Sequence, residues 1–111
     1  NESGGEKRIM YTIEYLPIAG RDMVDIAKYI GVKLENPEAA ERLAEKMIEA
    51  AEKLTDMPYK CPVHIPVKPL RHEYRKLIVQ NYIMFYWVDE DKKLITIARV
   101  VYSGRDYENL L

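Results

Sequence analysis

Residues 74–102 read YRKLIVQNYIMFYWVDEDKKLITIARVVY, and this stretch decides the fold. It holds three apolar runs, 74–79, 82–88 and 94–102, parted by Gln80-Asn81 and by the polar residues 89–93. β-Branched and aromatic side chains fill the runs, while Gly and Pro are absent. Such residues suit a pleated, packed surface, and breaks this short join antiparallel neighbours. The spacing predicts a three-stranded antiparallel meander. Its middle run, YIMFYWV, lacks polar alternation, which predicts a central strand covered on both faces.

Cations interrupt this apolar stretch: Arg75 and Lys76 at its start, Arg99 inside the third run, and Arg105 just beyond it. A cation among apolar residues needs an acid partner, solvent or a ligand. For Arg99 one reading is a pair with an acid such as Asp106; the other is a contact with an anionic ligand.

Working outward, residues 56–69 read DMPYKCPVHIPVKP. The four prolines exclude a helix or a central strand and predict a crossing loop. Cys61 and His64, even with His72 added, fall short of the four ligands of a closed zinc site, so no metal and no cofactor is expected. Cys61 has no partner for an internal disulfide, which suits a reducing cytoplasm.

Before the loop, Asn36-Pro37-Glu38 is a helix start: Asn caps, Pro fits the first turn and Glu suits the positive end of the dipole. Ala40, Leu43, Ala44, Met47, Ala51 and Leu54 then form one apolar stripe. An earlier stripe of Met23, Ile26, Ala27, Ile30 and Leu34 predicts another helix, starting near Pro17 and weakening at Gly31. With so short a link the two form an antiparallel hairpin. Residues 11–15 alternate as a short strand. Residues 1–9, NESGGEKRI, carry no core pattern and read as a flexible tail, with Met10 standing where a natural initiator would. After the meander, residues 105–111 are expected to form a short helical turn that docks Leu110 and Leu111.

The chain of 111 residues, 48% hydrophobic and 32% charged, is that of one folded domain over 10–111. No apolar run approaches the ~20 residues of a membrane helix, and no signal-peptide pattern opens the chain. The net charge of −1 hides an asymmetry: residues 1–59 carry 8 Lys+Arg against 12 Asp+Glu, and residues 60–111 carry 9 against 6. The basic half suits a phosphate backbone or an acidic partner, unless the two halves neutralise each other.

The order of strand, helix hairpin, proline-rich loop and three-stranded meander resembles the RelE/ParE toxin superfamily. The resemblance runs from Met10 to Leu111, on IEYLPIAGRDMVDIAKYI, NPEAAERLAEKMIEAAEKL, MPYKCP and the terminal YRKLIVQNYIMFYWVDEDKKLITIARVVYSGRDYENLL. It implies an α+β fold and a cytoplasmic bacterial toxin held inactive by a cognate antitoxin. It also implies one of two targets: DNA gyrase in the ParE-like branch, or messenger RNA in the ribosome in the RelE-like branch, which cuts without a metal. An inactive, antitoxin-binding member is the third alternative, and a homo-oligomer stays open.

The nuclease branch carries Tyr-Arg-apolar-Val-Tyr on the middle strand, with the Arg facing the scissile phosphate. Here that strand reads Tyr82-Ile83-Met84-Phe85-Tyr86, so Ile83 stands at the Arg position. For a nuclease the remaining catalytic candidates are Arg75, Lys76, Arg105, Tyr102 and His72. For binding an anion or an acidic antitoxin tail they are Lys68, Arg71, Arg75, Lys76, Arg99 and Arg105. Strand alternation puts Arg75 and Lys76 on opposite faces, so these cations are not expected to converge on one phosphate.

Overall fold

The computed structural model describes residues 10–111; the tail read over residues 1–9 lies outside them. Strand β1 (Thr12–Tyr15) leads into helix α1 (Pro17–Lys28), a π-helical turn (Tyr29–Lys33) and helix α2 (Pro37–Lys53). The long loop follows, then β2 (Arg75–Val79), β3 (Tyr82–Asp89) and β4 (Leu94–Tyr102). The meander is as the sequence predicts: β2–β3 and β3–β4 are antiparallel. β1 adds to the outer side of β4 in parallel, Thr12 opposite Leu94 and Tyr15 opposite Ile97, giving the order β1-β4-β3-β2.

The helices begin where their starting residues dictate. Pro37 opens α2 and the Asn36 side chain accepts the Ala39 N–H at 3.1 Å, satisfying a donor the first turn leaves free. Pro17 opens α1, which ends at Lys28 rather than running to Leu34. The chain then widens into the π turn around Gly31, where an added Cβ would lie 3.6 Å from that of Ala40. Leu34, expected on the apolar stripe, is therefore carried past the end of α1 and lies exposed.

The sheet has two covered faces. On the helix side Leu43, Met47, Ala51 and Leu54 of α2 and its C-cap pack with Ala19 of α1 against Leu77, Met84, Tyr86, Ile95, Ile97 and Val100. On the other side Ile83, Phe85 and Val101 form a smaller cluster closed by Tyr74, Tyr107, Leu110 and Leu111. β3 is thus central and covered on both faces, and the C-terminal segment docks as expected. It does so through a single turn, Leu110 N–H to Tyr107 O at 3.1 Å, rather than a helix.

β4 carries a bulge. Phe85 faces Arg99 but Tyr86 faces Ile97, so Ala98 is the extra residue. A bulge flips the alternation beyond it. This is why Ile95 and Ile97, and then Val100, all reach the helix-side core, while Arg99 and Val101 turn to the other face.

Candidate binding site

β1 covers β4 only as far as Ile97, so residues 98–102 border α1 instead of a strand. Asp22 of α1 fills this edge. Its carboxylate accepts the Val100 N–H at 2.9 Å and both Nε and Nη2 of Arg99, at 2.8 and 3.0 Å. The acid expected for Arg99 was Asp106; the partner is Asp22, which α1 brings alongside the edge of β4. Both side chains are mostly buried. Hydrogen bonding to Asp22 raises the Arg99 pKa above its ordinary value against the opposing pull of burial. Arg99 also reaches the Leu110 carbonyl at 3.4 Å, tying the C-terminal segment to the same pair. Arg99 is thus engaged by Asp22 and by the C-terminal segment.

Beside this pair lies a cleft of about 610 Å³, with Asp25, Tyr29, Tyr82, Tyr102 and Arg105 in its walls. Of the residues singled out from sequence, Tyr102 and Arg105 meet here. Tyr102 is half exposed and packs edge-on to Tyr82 at 5.9 Å. Arg105 has no ion pair among the described residues; its chain neighbour Asp106 accepts the Glu108 N–H. Sequence reading missed Asp22, Asp25 and Tyr29. Their spacing of three and four was the available signal, a polar stripe beside the apolar one on α1.

The other candidates lie elsewhere. Arg75, at the far edge of the sheet, donates Nη1 to the carbonyls of Cys61 (2.7 Å) and Tyr59 (3.1 Å) and lies over the Tyr59 ring. The salt bridge to Glu73 exists at 3.7 Å but is the longer contact. Arg75 therefore clamps the loop onto the sheet, as does the buried Tyr86 hydroxyl, which donates to the Pro58 carbonyl at 2.7 Å. Hydrogen bonds from a charged donor are worth about 1.5–3 kcal/mol, so Arg75→Ala is expected to lower unfolding free energy by about 2 kcal/mol. Urea denaturation checks this; an unchanged midpoint would show the clamp to be idle.

Lys76 lies on the opposite face, as alternation requires. His72 stacks on Trp87, centroids 3.7 Å apart, also away from the cleft. Lys68 and Arg71 are exposed on the loop. Among the described residues no cluster of His, Cys, Asp and Glu is arranged to hold a metal, and no helix is long and apolar enough to cross a membrane. Cys61 is a buried free thiol.

A second polar cluster fastens the β3–β4 turn. Lys93, Tyr59 and Tyr11 all donate to Glu90. Together they pull its carboxyl down to about 2, with Lys93 the largest cause and Tyr59 and Tyr11 next. The same contact to Glu90 pushes Tyr59 up to about 12. Because the folded pKa of Glu90 lies below its ordinary 4.5, its contribution is complete above about 4.5 and lost as pH falls toward 2. That of Tyr59 is complete below 10 and lost as pH rises toward 12. Thermal melts should thus show Glu90→Gln with a shallower acid limb than the parent. Parallel acid limbs would rule the cluster out as a pH-sensitive fastening.

A family profile described as the ParE toxin of the type II toxin–antitoxin system parDE matches residues 13–107. The chain belongs to the ParE toxin family. Solved relatives share the fold of this ParE-family toxin. A chain of the chromosomal ParDE toxin–antitoxin system from P. aeruginosa superposes with a TM-score of 0.64 at 19% identity, covering 85% of this chain and 96% of the other. One from the RelBE2 toxin–antitoxin complex of Mycobacterium tuberculosis gives 0.57 at 21% identity, covering 89% and 98%. One from the archaeal RelE–RelB complex of Pyrococcus horikoshii gives 0.57 at 17%, covering 86% and 98%. At these identities the likeness is one of fold. No curated protein matches the sequence significantly.

Proposed function

We propose that this toxin arrests growth by binding a large target such as DNA gyrase, and that a cognate antitoxin encoded beside it holds it inactive. One observation carries the choice of binding over cleavage. Ile83, at the position where the nuclease branch of the superfamily places its phosphate-facing Arg, is 4% exposed in an apolar cluster under the C-terminal segment. Cutting an RNA phosphodiester without a metal needs an acid, a base and convergent cations. One preorganised donor at the transition state is worth about 10²–10³-fold. Here the cations are dispersed: Arg75 is held by carbonyls, Lys76 lies on the opposite face from Arg75, Arg99 is held by Asp22, and Arg105 lines the cleft.

The cleft between α1 and the uncovered end of β4 supports the antitoxin half of the reading. It offers tyrosines, an aspartate and Arg105, which has no ion pair among the described residues, beside an edge that no described strand occupies, which suits an extended or helical segment of a partner. Induction without antitoxin, with parallel assays for messenger-RNA cleavage and for trapped gyrase–DNA breaks, tests the whole. Breaks without RNA cleavage are expected. Codon-specific RNA cuts would return the chain to the nuclease branch, and no growth arrest would make it an inactive antitoxin-binding module.

A further inference from the structure

The loop on the far edge of the sheet is built to be touched. Residues 60–71, KCPVHIPVKPLR, carry Lys60, Lys68 and Arg71 and no acid, in a chain of net charge −1. None of the three forms an ion pair among the described residues. Between them Ile65 and Val67 are each 80% exposed, more than any other large apolar side chain described. The loop is not slack. Pro62, Pro66 and Pro69 restrict its backbone. The Arg75 clamp fixes Cys61, the Lys76 N–H donates to Pro62 O at 3.0 Å, and the His64 N–H donates to Tyr74 O at 2.8 Å. A shallow cleft of about 330 Å³ opens beside Ile65, with Leu70 and Arg71 in its walls. Past the bridge of Val63 to Arg75, the outer edge of β2 has no neighbouring strand among the described residues, and Ile78 is 58% exposed there.

We infer that this loop and edge form a second docking surface, which takes an acidic, extended segment of the toxin's target protein. The inference rests on the binding reading above and locates its contact. Two aliphatic side chains held out by a pinned loop lose little freedom on binding. Three unneutralised cations complement carboxylates, and an open strand edge supplies main-chain hydrogen bonds. A nucleic acid would use the cations but neither the aliphatic pair nor the strand edge, and the nearby His72 and Trp87 rings already stack on each other. A second copy of this chain would bring like charges together across a two-fold axis. The surface lies at the β2 edge, across the sheet from the α1–β4 cleft proposed for the antitoxin.

The test uses the full chain and two exposed double variants, Lys68→Glu/Arg71→Glu and Ile65→Ser/Val67→Ser, each first shown to melt like the parent. Three readouts are compared: growth arrest on induction, affinity for the antitoxin, and binding of peptides selected from a random displayed library on the parent. Expected are survival at least tenfold higher for both variants, antitoxin affinity within threefold of the parent, and selected peptides that alternate acidic and aliphatic residues. Those peptides should bind the parent at least tenfold more tightly than either variant. Undiminished arrest by both variants would overturn the inference, as would selected peptides indifferent to them. A tenfold loss of antitoxin affinity would overturn it by giving the surface to the antitoxin, and loop-dependent binding of a single-stranded oligonucleotide by giving it to nucleic acid. If the parent itself causes no arrest, the binding-toxin reading fails, and this surface as a target dock is overturned with it; peptide binding then shows only whether the loop takes acidic segments.

Discussion

Asp22→Ala is expected to lower the unfolding free energy by about 3 kcal/mol, the low end of the range for breaking a buried ion pair. For a domain of this size that is a fall in melting temperature on the order of 15 °C. The substitution leaves the Arg99 guanidinium mostly buried without its carboxylate and removes the acceptor of the Val100 N–H. The pair is costly to break but not indispensable as a pair, because two buried charges also pay desolvation. Asp22→Leu combined with Arg99→Met should therefore recover the part of the loss due to the unpaired charge, leaving the Val100 N–H without its acceptor. A double-mutant cycle measured by denaturant unfolding checks both statements. Coupling below about 0.5 kcal/mol would mean the two side chains act independently, and the edge of β4 would then owe its stability to packing alone. Since Arg99 also holds the Leu110 carbonyl, the single variant should expose the C-terminal segment to protease as well.

The contrast between Asn36 and Asp22 shows which parts of the molecule can be read in the chain. Asn36 caps a helix through an atom three residues away, and β3 hides on both faces because its own run is unbroken; both causes are local. Asp22 meets Arg99 across 77 residues, and β1 meets β4 across about 80. Neither contact leaves a local trace, and the bulge at Ala98 has no glycine or proline to mark it. The meander was legible, but the parallel addition of β1 was not. The candidate site divides in the same way. Arg75 looked like an anion contact because its side chain type is visible, whereas its actual acceptors are backbone carbonyls, which every residue carries and no sequence pattern marks. Arg105 stayed free and came to a cleft, in company with tyrosines that only the helix–sheet packing could bring there.

Ile83→Arg, the change that would restore the nuclease-branch cation, is expected to damage the fold and not to create a nuclease. Ile83 packs with Phe85 and Val101 beneath Leu110 and Leu111. The side chains packed around it are apolar, and a charge left unpaired in such a site costs about 3–5 kcal/mol, the range for breaking a buried pair. The long side chain can escape by carrying its head to solvent, but only by lifting residues 107–111 from the sheet. The expected result is a melting temperature lower by on the order of 15 °C, with faster proteolysis confined to the C-terminal segment and no messenger-RNA cleavage on induction. Ile83→Val, which removes one methyl group from the same place, should cost only about 1 kcal/mol and leave the segment protected, separating loss of packing from the cost of charge. A stable Ile83→Arg protein with a protected C-terminus would show that the cluster has room for a cation after all. If that protein also cut messenger RNA, the missing Arg alone would have separated this chain from the nucleases, and the divergence of its other cations would be irrelevant to its chemistry.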